Sequence, residues 1–226
     1  MATSSRINQA GRDTTIAENN QHAAHTDTLI RNLSVQERSA LLRSLLEQTP
    51  IIPAVRSADF VSAGAEASGK IVYFLFGNPE DISETAGTAA KAGKVPIVNL
   101  DLVAGMARDS AAVSFLARRN VQGIISTHPE PLRAAREFGL FAIKRTFLLD
   151  SAALHSALRS LEQFLPDALE VLPAMAAPRI MTKLREEFPQ LPVVAGGLIY
   201  TLREIEELLQ QGITSVSVSE RRLWVL

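Results

Sequence analysis

Short apolar runs alternating with amphipathic stretches organise this chain. Eight runs follow one another: Ile51–Val55, Ile71–Phe76, Pro96–Asp101, Gly123–Ser126, Phe141–Phe147, Ala168–Leu172, Pro192–Ala195 and Ser215–Ser219. Most are near-continuously apolar rather than alternating, the pattern of parallel strands covered on both faces. The stretches between them carry helix starts. Asn78 with Pro79 reads as an N-cap and first helical position, Asp150 as an N-cap, and Thr201 with Glu204 as a capping box. Gly93, Gly139 and Gly212 stand where three of these helices should stop. Strand–helix alternation repeated eight times predicts an α/β fold, a (β/α)8 TIM-type barrel. An open doubly wound sheet shares this alternation, and the strand count alone does not exclude it.

The chain before the first run divides in two. Residues 1–26 are rich in Ser, Thr, Asn, Gln and Ala and read as a mobile tail, in which His22 and His25 read as solvated. Residues 27–49 read as a helical extension. Ser34 and Glu37 match a capping box, Leu41, Leu42, Leu45 and Leu46 fall at helical spacing, and Thr49 before Pro50 ends the helix. An apolar stripe has to be buried, so this helix is expected to dock on the barrel, which takes residues 50–226. After the last run only Glu220 to Leu226 remain, at most two turns. The last outer helix is therefore expected to be stunted, with the Leu41–Leu46 helix over the gap and Trp224 packed there.

Composition narrows the function. With 226 residues, 46% of them hydrophobic, the chain can bury one large core, which fits a single barrel with an extension. A formal net charge of −1 offers no global attraction for nucleic acid or an anionic membrane. The absence of cysteine excludes disulfides, thiolate metal sites and a cysteine nucleophile. No apolar stretch is long enough to span a bilayer, and the polar N-terminus lacks the apolar core of a signal peptide. The expectation is a cytoplasmic protein with no membrane partner.

The candidate chemistry gathers at the ends of the runs. Gly196 and Gly197 follow the seventh, and their bare backbone can approach an anion closely. Ser217 and Ser219 lie one strand later, and the loops after strands seven and eight are the usual phosphate cradle of such barrels. Arg56, Asp101, His128, Lys144, Arg145 and Glu170 place ionisable groups at or near strand ends, where desolvation is costly unless they are paired or bind something. One reading is an internal ion-pair network of Arg145 or Lys144 with Glu170 and Asp101. The other is a ligand site, a cation for a phosphate and carboxylates for hydroxyls, which suits a polyol phosphate. Lys144 could also form a Schiff base, as barrel aldolases do. No metal-ligand spacing, phosphate-binding P-loop or nucleophile elbow is present, so no metal or cofactor is expected.

Together these residues resemble a known family. From about Ile51 to Trp224 the chain is similar to the glycerol-3-phosphate-responsive antiterminators, also called glycerol uptake operon antiterminators. The resemblance is carried by the segments Ile51 to Arg56, Asp101 to Gly105, Gly123 to Thr127, Ala142 to Ser151, Glu170 to Pro173 and Ala195 to Ile199, with the Leu223-Trp224 pair. Arg145 to Ser151 and Glu170 to Pro173 are the specific ones. The resemblance implies a barrel that binds glycerol 3-phosphate and, when loaded, binds the leader of a messenger RNA, preventing a terminator hairpin so that glycerol-utilisation genes are transcribed. It implies that Gly196, Gly197, Ser217 and Ser219 hold the phosphate, while Asp101, Arg145 and Glu170 line the rest of the pocket. Arg56, Arg118 and Arg119 are the candidates for RNA contact. The chain departs from the family pattern at Ala174, where glycine is common, at His128 and Val225, where a basic residue is usual, and in its N-terminal extension.

Three readings follow. The first is a non-enzymatic, ligand-responsive regulator, for which a homo-oligomer is left open. The second is a sugar- or triose-phosphate isomerase, epimerase or aldolase, with Glu170 or Asp101 as base and Lys144 as electrophile. The third is a metabolite-sensing barrel that acts through a protein docked on the N-terminal helix.

Overall fold

In the computed structural model, residues 30–224 are described, so the tail with His22 and His25, and Val225, lie outside the described residues. Eight parallel strands close on themselves in the order β1 to β8, which removes the open-sheet alternative. They are β1 (Ile51–Val55), β2 (Ile71–Phe74), β3 (Val95–Asn99), β4 (Gly123–Ser126), β5 (Phe141–Phe147), β6 (Ala168–Leu172), β7 (Val193–Gly196) and β8 (Ser215–Val218). Closure is made by the pairing of Ile52 with Ser217 between the first and last strands. Helix α1 (Val35–Glu47) leads into the barrel. Helices α2 (Val61–Glu66), α3 (Ile82–Lys91), α4 (Ser110–Ala117), α5 (Pro129–Glu137), α6 (Ser151–Gln163), α7 (Pro178–Glu187) and α8 (Leu202–Gln210) follow the first seven strands in turn.

Local chemistry explains most boundaries. Ser34 and Glu37 form the capping box of α1, and Thr201 and Glu204 that of α8. Asp150 caps α6 by accepting from the Ala153 N–H at 2.8 Å. Asn78 behaves differently from a helix cap. Its Oδ1 accepts from the N–H groups of Glu80 and Asp81, which closes a local turn and delays the start of α3 to Ile82.

Alternation along the strands divides the core into two shells. Inward-facing Ile52, Ala54, Ile71, Tyr73, Val95, Ile97, Ile125, Phe141, Ile143, Ala168 and Val194 form one cluster inside the barrel, and Leu42 and Leu46 of α1 belong to it. Helix α1 thus plugs the floor, the end at which the strands begin. Its last turn is tied there by the Ser215 hydroxyl, which donates to the Leu46 carbonyl at 2.9 Å. Ser39 donates to the buried Asp167, whose other oxygen accepts from the Ala142 N–H at 2.8 Å.

This seat corrects the expectation that the Leu41–Leu46 helix covers the gap left by a missing last helix. After β8 the described chain makes one 3-10 turn, Arg221–Leu223. The gap is closed instead by Trp224, buried among Val55, Val61 and Phe74, with its indole N–H on the Val218 carbonyl at 2.7 Å. A compact ring can seal a gap between β8 and β1, whereas an opening surrounded by eight strands needs the broad apolar side of a helix. No described helix is long and apolar enough to cross a membrane.

Candidate functional site

The upper end of the barrel, where the strands finish, is lined by a polar layer. Arg145 and Glu170 sit opposite each other on β5 and β6, both facing inward. The Arg145 Nε donates to Glu170 Oε2 at 2.6 Å in a pair that is 8% and 0% exposed. Glu170 Oε1 accepts from the Ser217 hydroxyl at 2.8 Å. Both carboxylate oxygens are therefore engaged, and the carboxylate fixes the guanidinium edge-on. Among the described residues neither Nη nitrogen of Arg145 has a protein acceptor, so the outer edge of the fork is left unengaged.

Gly196 explains how three strands converge on one carboxylate. A Cβ at this position would collide with the Ser217 hydroxyl and stand 3.2 Å from Glu170 Oε1. Gly196→Ala is therefore expected to push Ser217 off Glu170 and cost about 1–3 kcal/mol, as overpacking does. Thermal melting checks this, and the Gly196→Ala/Ser217→Gly pair should recover part of the loss. Gly197 continues into a left-handed turn with Leu198, their φ values being 79° and 60°. The Gly197 carbonyl accepts from the Ala174 N–H at 3.2 Å, which ties the β7 loop to the β6 loop. Ser219 stands exposed on the neighbouring loop. Among the described residues the N–H groups of Leu198 and Ser219 have no protein acceptor.

Asp101 lies on the opposite side of the rim, in the 3-10 turn after β3. Its carboxylate accepts from the Ser126 hydroxyl at 2.6 Å, the Thr127 N–H at 2.7 Å and the Thr127 hydroxyl at 2.8 Å. Arg108 stands 4.0 Å away on its exposed side. Asp101 thus clamps the β3 and β4 loops together, and the ion pair it forms is with Arg108 rather than with Arg145 or Lys144. His128 is exposed at the start of α5.

Lys144 does not join this layer. It follows Ile143 and precedes Arg145 on a continuous strand, so it leaves β5 on the outward face, toward the helices, and lines a cavity with Arg145, Ser156 and Ser160. Burial holds its ammonium below the usual lysine range.

Two inward-facing residues complete the layer and were not singled out from sequence. Tyr73 on β2 is fully buried and its hydroxyl has no partner. Burial first, and the Glu170 carboxylate second, hold its phenol well above the usual range. Asn99, at the end of β3, accepts from the Asp101 N–H with Oδ1 at 3.0 Å and leaves Nδ2 buried without a partner. Inward parity was the available signal, but a tyrosine in an apolar run reads as ordinary core.

The arginines considered for RNA fall at two ends of the barrel. Arg56 is exposed just after β1, on the upper rim. Arg118 and Arg119 follow α4 on the floor side, where Arg118 donates to Ser114 and Arg119 lies over the Phe115 ring at 3.2 Å.

Comparison with known proteins matches this architecture. The family model for the glycerol-3-phosphate responsive antiterminator matches residues 51–224, the barrel without α1. The uncharacterized protein YgcP of Escherichia coli (strain K12) is 30% identical over 186 residues, covering 82% of this chain and 96% of its own. The crystal structure of the glycerol uptake operon antiterminator regulatory protein from Listeria monocytogenes is 29% identical with a TM-score of 0.72, covering 78% of this chain and 95% of that one. A glycerol uptake operon antiterminator-related protein from Thermotoga maritima is 28% identical with a TM-score of 0.70, over 78% of this chain and 98% of that one. The match spans every strand of the barrel and both members of the Arg145–Glu170 pair, and the chain belongs to the glycerol-3-phosphate responsive antiterminator family.

Proposed function

We propose that this chain binds glycerol 3-phosphate in the upper mouth of the barrel, and that the loaded state contacts leader mRNA to control antitermination of glycerol-utilisation genes. The observation that carries the ligand half is Arg145. Glu170 takes its Nε and leaves both Nη groups, free of protein acceptors among the described residues, for an anion. A guanidinium held in this way is preorganised for a phosphoryl group. The Leu198 and Ser219 N–H groups and the Ser219 hydroxyl supply further donors on the β7 and β8 loops, and the unpartnered Tyr73 hydroxyl and Asn99 amide suit the polyol hydroxyls. Ser217 and Gly196 act behind them: the hydroxyl holds Glu170, and the glycine leaves room for it.

A regulator fits these groups better than an enzyme. Glu170 has both oxygens engaged and Asp101 accepts three hydrogen bonds, so neither carboxylate is poised to take a proton. Lys144, the candidate electrophile, leaves β5 on the face opposite Arg145. Of the RNA candidates, Arg56 shares the rim with the ligand, where occupancy can alter its surroundings directly, whereas Arg118 and Arg119 stand at the far end. No cofactor is required by this reading.

Melting temperature titrated against glycerol 3-phosphate, glycerol and inorganic phosphate tests the ligand. Stabilisation specific to the first is expected, and an equal response to unrelated sugar phosphates would favour the enzyme. Arg145→Lys keeps the charge and loses the fork, and should weaken binding by about 1.5–3 kcal/mol. Unchanged affinity would remove Arg145 from the ligand. Leader binding should require the ligand and fall with salt, and indifference to both would remove the RNA output.

A further inference from the structure

In a barrel of this kind the space between strands and outer helices is normally filled by apolar side chains. Around β5 it is not. The outward positions of this strand include Lys144 and Thr146, and α6 faces them with Ala153, Ser156, Ala157 and Ser160. These are four small residues at helical spacing, too short to reach across. A cavity of about 320 Å³ remains between them; Thr127, Arg145 and Phe147 complete its lining, and no carboxylate lines it.

Three donors end at this cavity without a protein partner among the described residues: the Lys144 ammonium, the Thr146 hydroxyl and the Ser156 hydroxyl. The remaining hydroxyls at the wall are already used. Thr127 donates to Asp101, and Ser160 to the Ala157 carbonyl. A half-buried ammonium costs desolvation that nothing in the protein offsets here. The electrostatics agree with the geometry, since burial is what depresses the Lys144 pKa.

We infer that this cavity is a second anion site, separate from the barrel mouth, in which Lys144, Thr146 and Ser156 bind the charged oxygens of a small phosphorylated or carboxylated molecule. The site shares β5 with Arg145, whose side chain leaves the strand on the opposite face one residue later. An anion bound at Lys144 therefore lies against the strand that carries Arg145, a short route for one occupant to influence the other.

The test reads Lys144 itself. The full chain is treated briefly with acetic anhydride, and acetylation at each lysine is followed by peptide mass spectrometry. Inorganic phosphate, acetate or chloride is present at matched ionic strength, with Lys91 and Lys183 as internal controls. Acetylation of Lys144 alone should slow about tenfold when phosphate or acetate stands at about ten times its dissociation constant. The anion that protects identifies the headgroup as phosphoryl or carboxylate. Protection should persist in Arg145→Lys, in which the mouth is altered, and weaken in Ser156→Ala. Equal acetylation of Lys144 in all three salts overturns the site. Protection that vanishes in Arg145→Lys would instead make Lys144 part of the mouth, and overturns its separateness without touching the proposed glycerol 3-phosphate site.

Discussion

Glu170→Ala should destabilise the barrel by about 3–5 kcal/mol, the usual consequence of removing one member of a buried ion pair. Glu170 is fully buried, and its loss strands the Arg145 guanidinium at 8% exposure and the Ser217 hydroxyl beside it. Urea denaturation at neutral pH measures the effect, read from the midpoint at constant m-value. The penalty comes from the uncompensated charge rather than from any large net gain in the pair. Replacing both partners together, as in Arg145→Met/Glu170→Leu, should therefore cost much less than Glu170→Ala alone. A loss below about 1 kcal/mol in the single variant would mean that water reaches the pair and screens it, as at a surface. The double variant also separates two roles, because it should fold and yet fail to bind the phosphorylated ligand.

Leu46→Ala should cost about 2–5 kcal/mol, with the same substitution at Leu45 costing clearly less. Both residues belong to α1, but Leu46 is fully buried with the inward-facing side chains of the barrel, whereas Leu45 is only partly buried against them. The cavity left at Leu46 would open onto the interior beneath Ile52 and Phe141, where surrounding strands cannot collapse to fill it. Chemical denaturation followed at Trp224, which lies at the opposite end of the barrel, measures whether the plug and barrel unfold together. If Leu46→Ala leaves the Trp224 transition unmoved, α1 is an appendage rather than part of the barrel core.

The position of α1 shows where sequence reading stopped. Its capping box and leucine spacing were legible, since both follow from hydrogen bonds and periodicity within a few residues. Which surface received that stripe was not, because the floor is assembled from inward residues of strands spread from Ile52 to Val194. Trp224 was legible as a packing residue, while its role in closing the gap beside β8 depends on neighbours from β1, α2 and β2.

The polar layer divides in the same way. Arg145 and Glu170 stood out because charges inside apolar runs need partners, and they are paired to each other. Lys144 stood out for the same reason, yet strict alternation along β5 already separates it from Arg145, a signal present in the strand itself. Tyr73 and Asn99 gave no comparable signal. Their significance lies in polar atoms left without partners, and a missing partner is a property of three-dimensional surroundings.

The sequence by itself determined the eight strands, the caps of α1, α6 and α8 and the presence of charges at strand ends, because each depends on backbone propensity and on neighbours within one turn or one strand. Tertiary structure alone decided that α1 seals the floor, that Ser217 and Gly196 serve Glu170, and that small residues of α6 leave a cavity beside Lys144. These are outcomes of closure: only when β8 meets β1 do side chains distant along the chain share one interior, and only then is it settled which polar atoms are satisfied and which remain for a ligand.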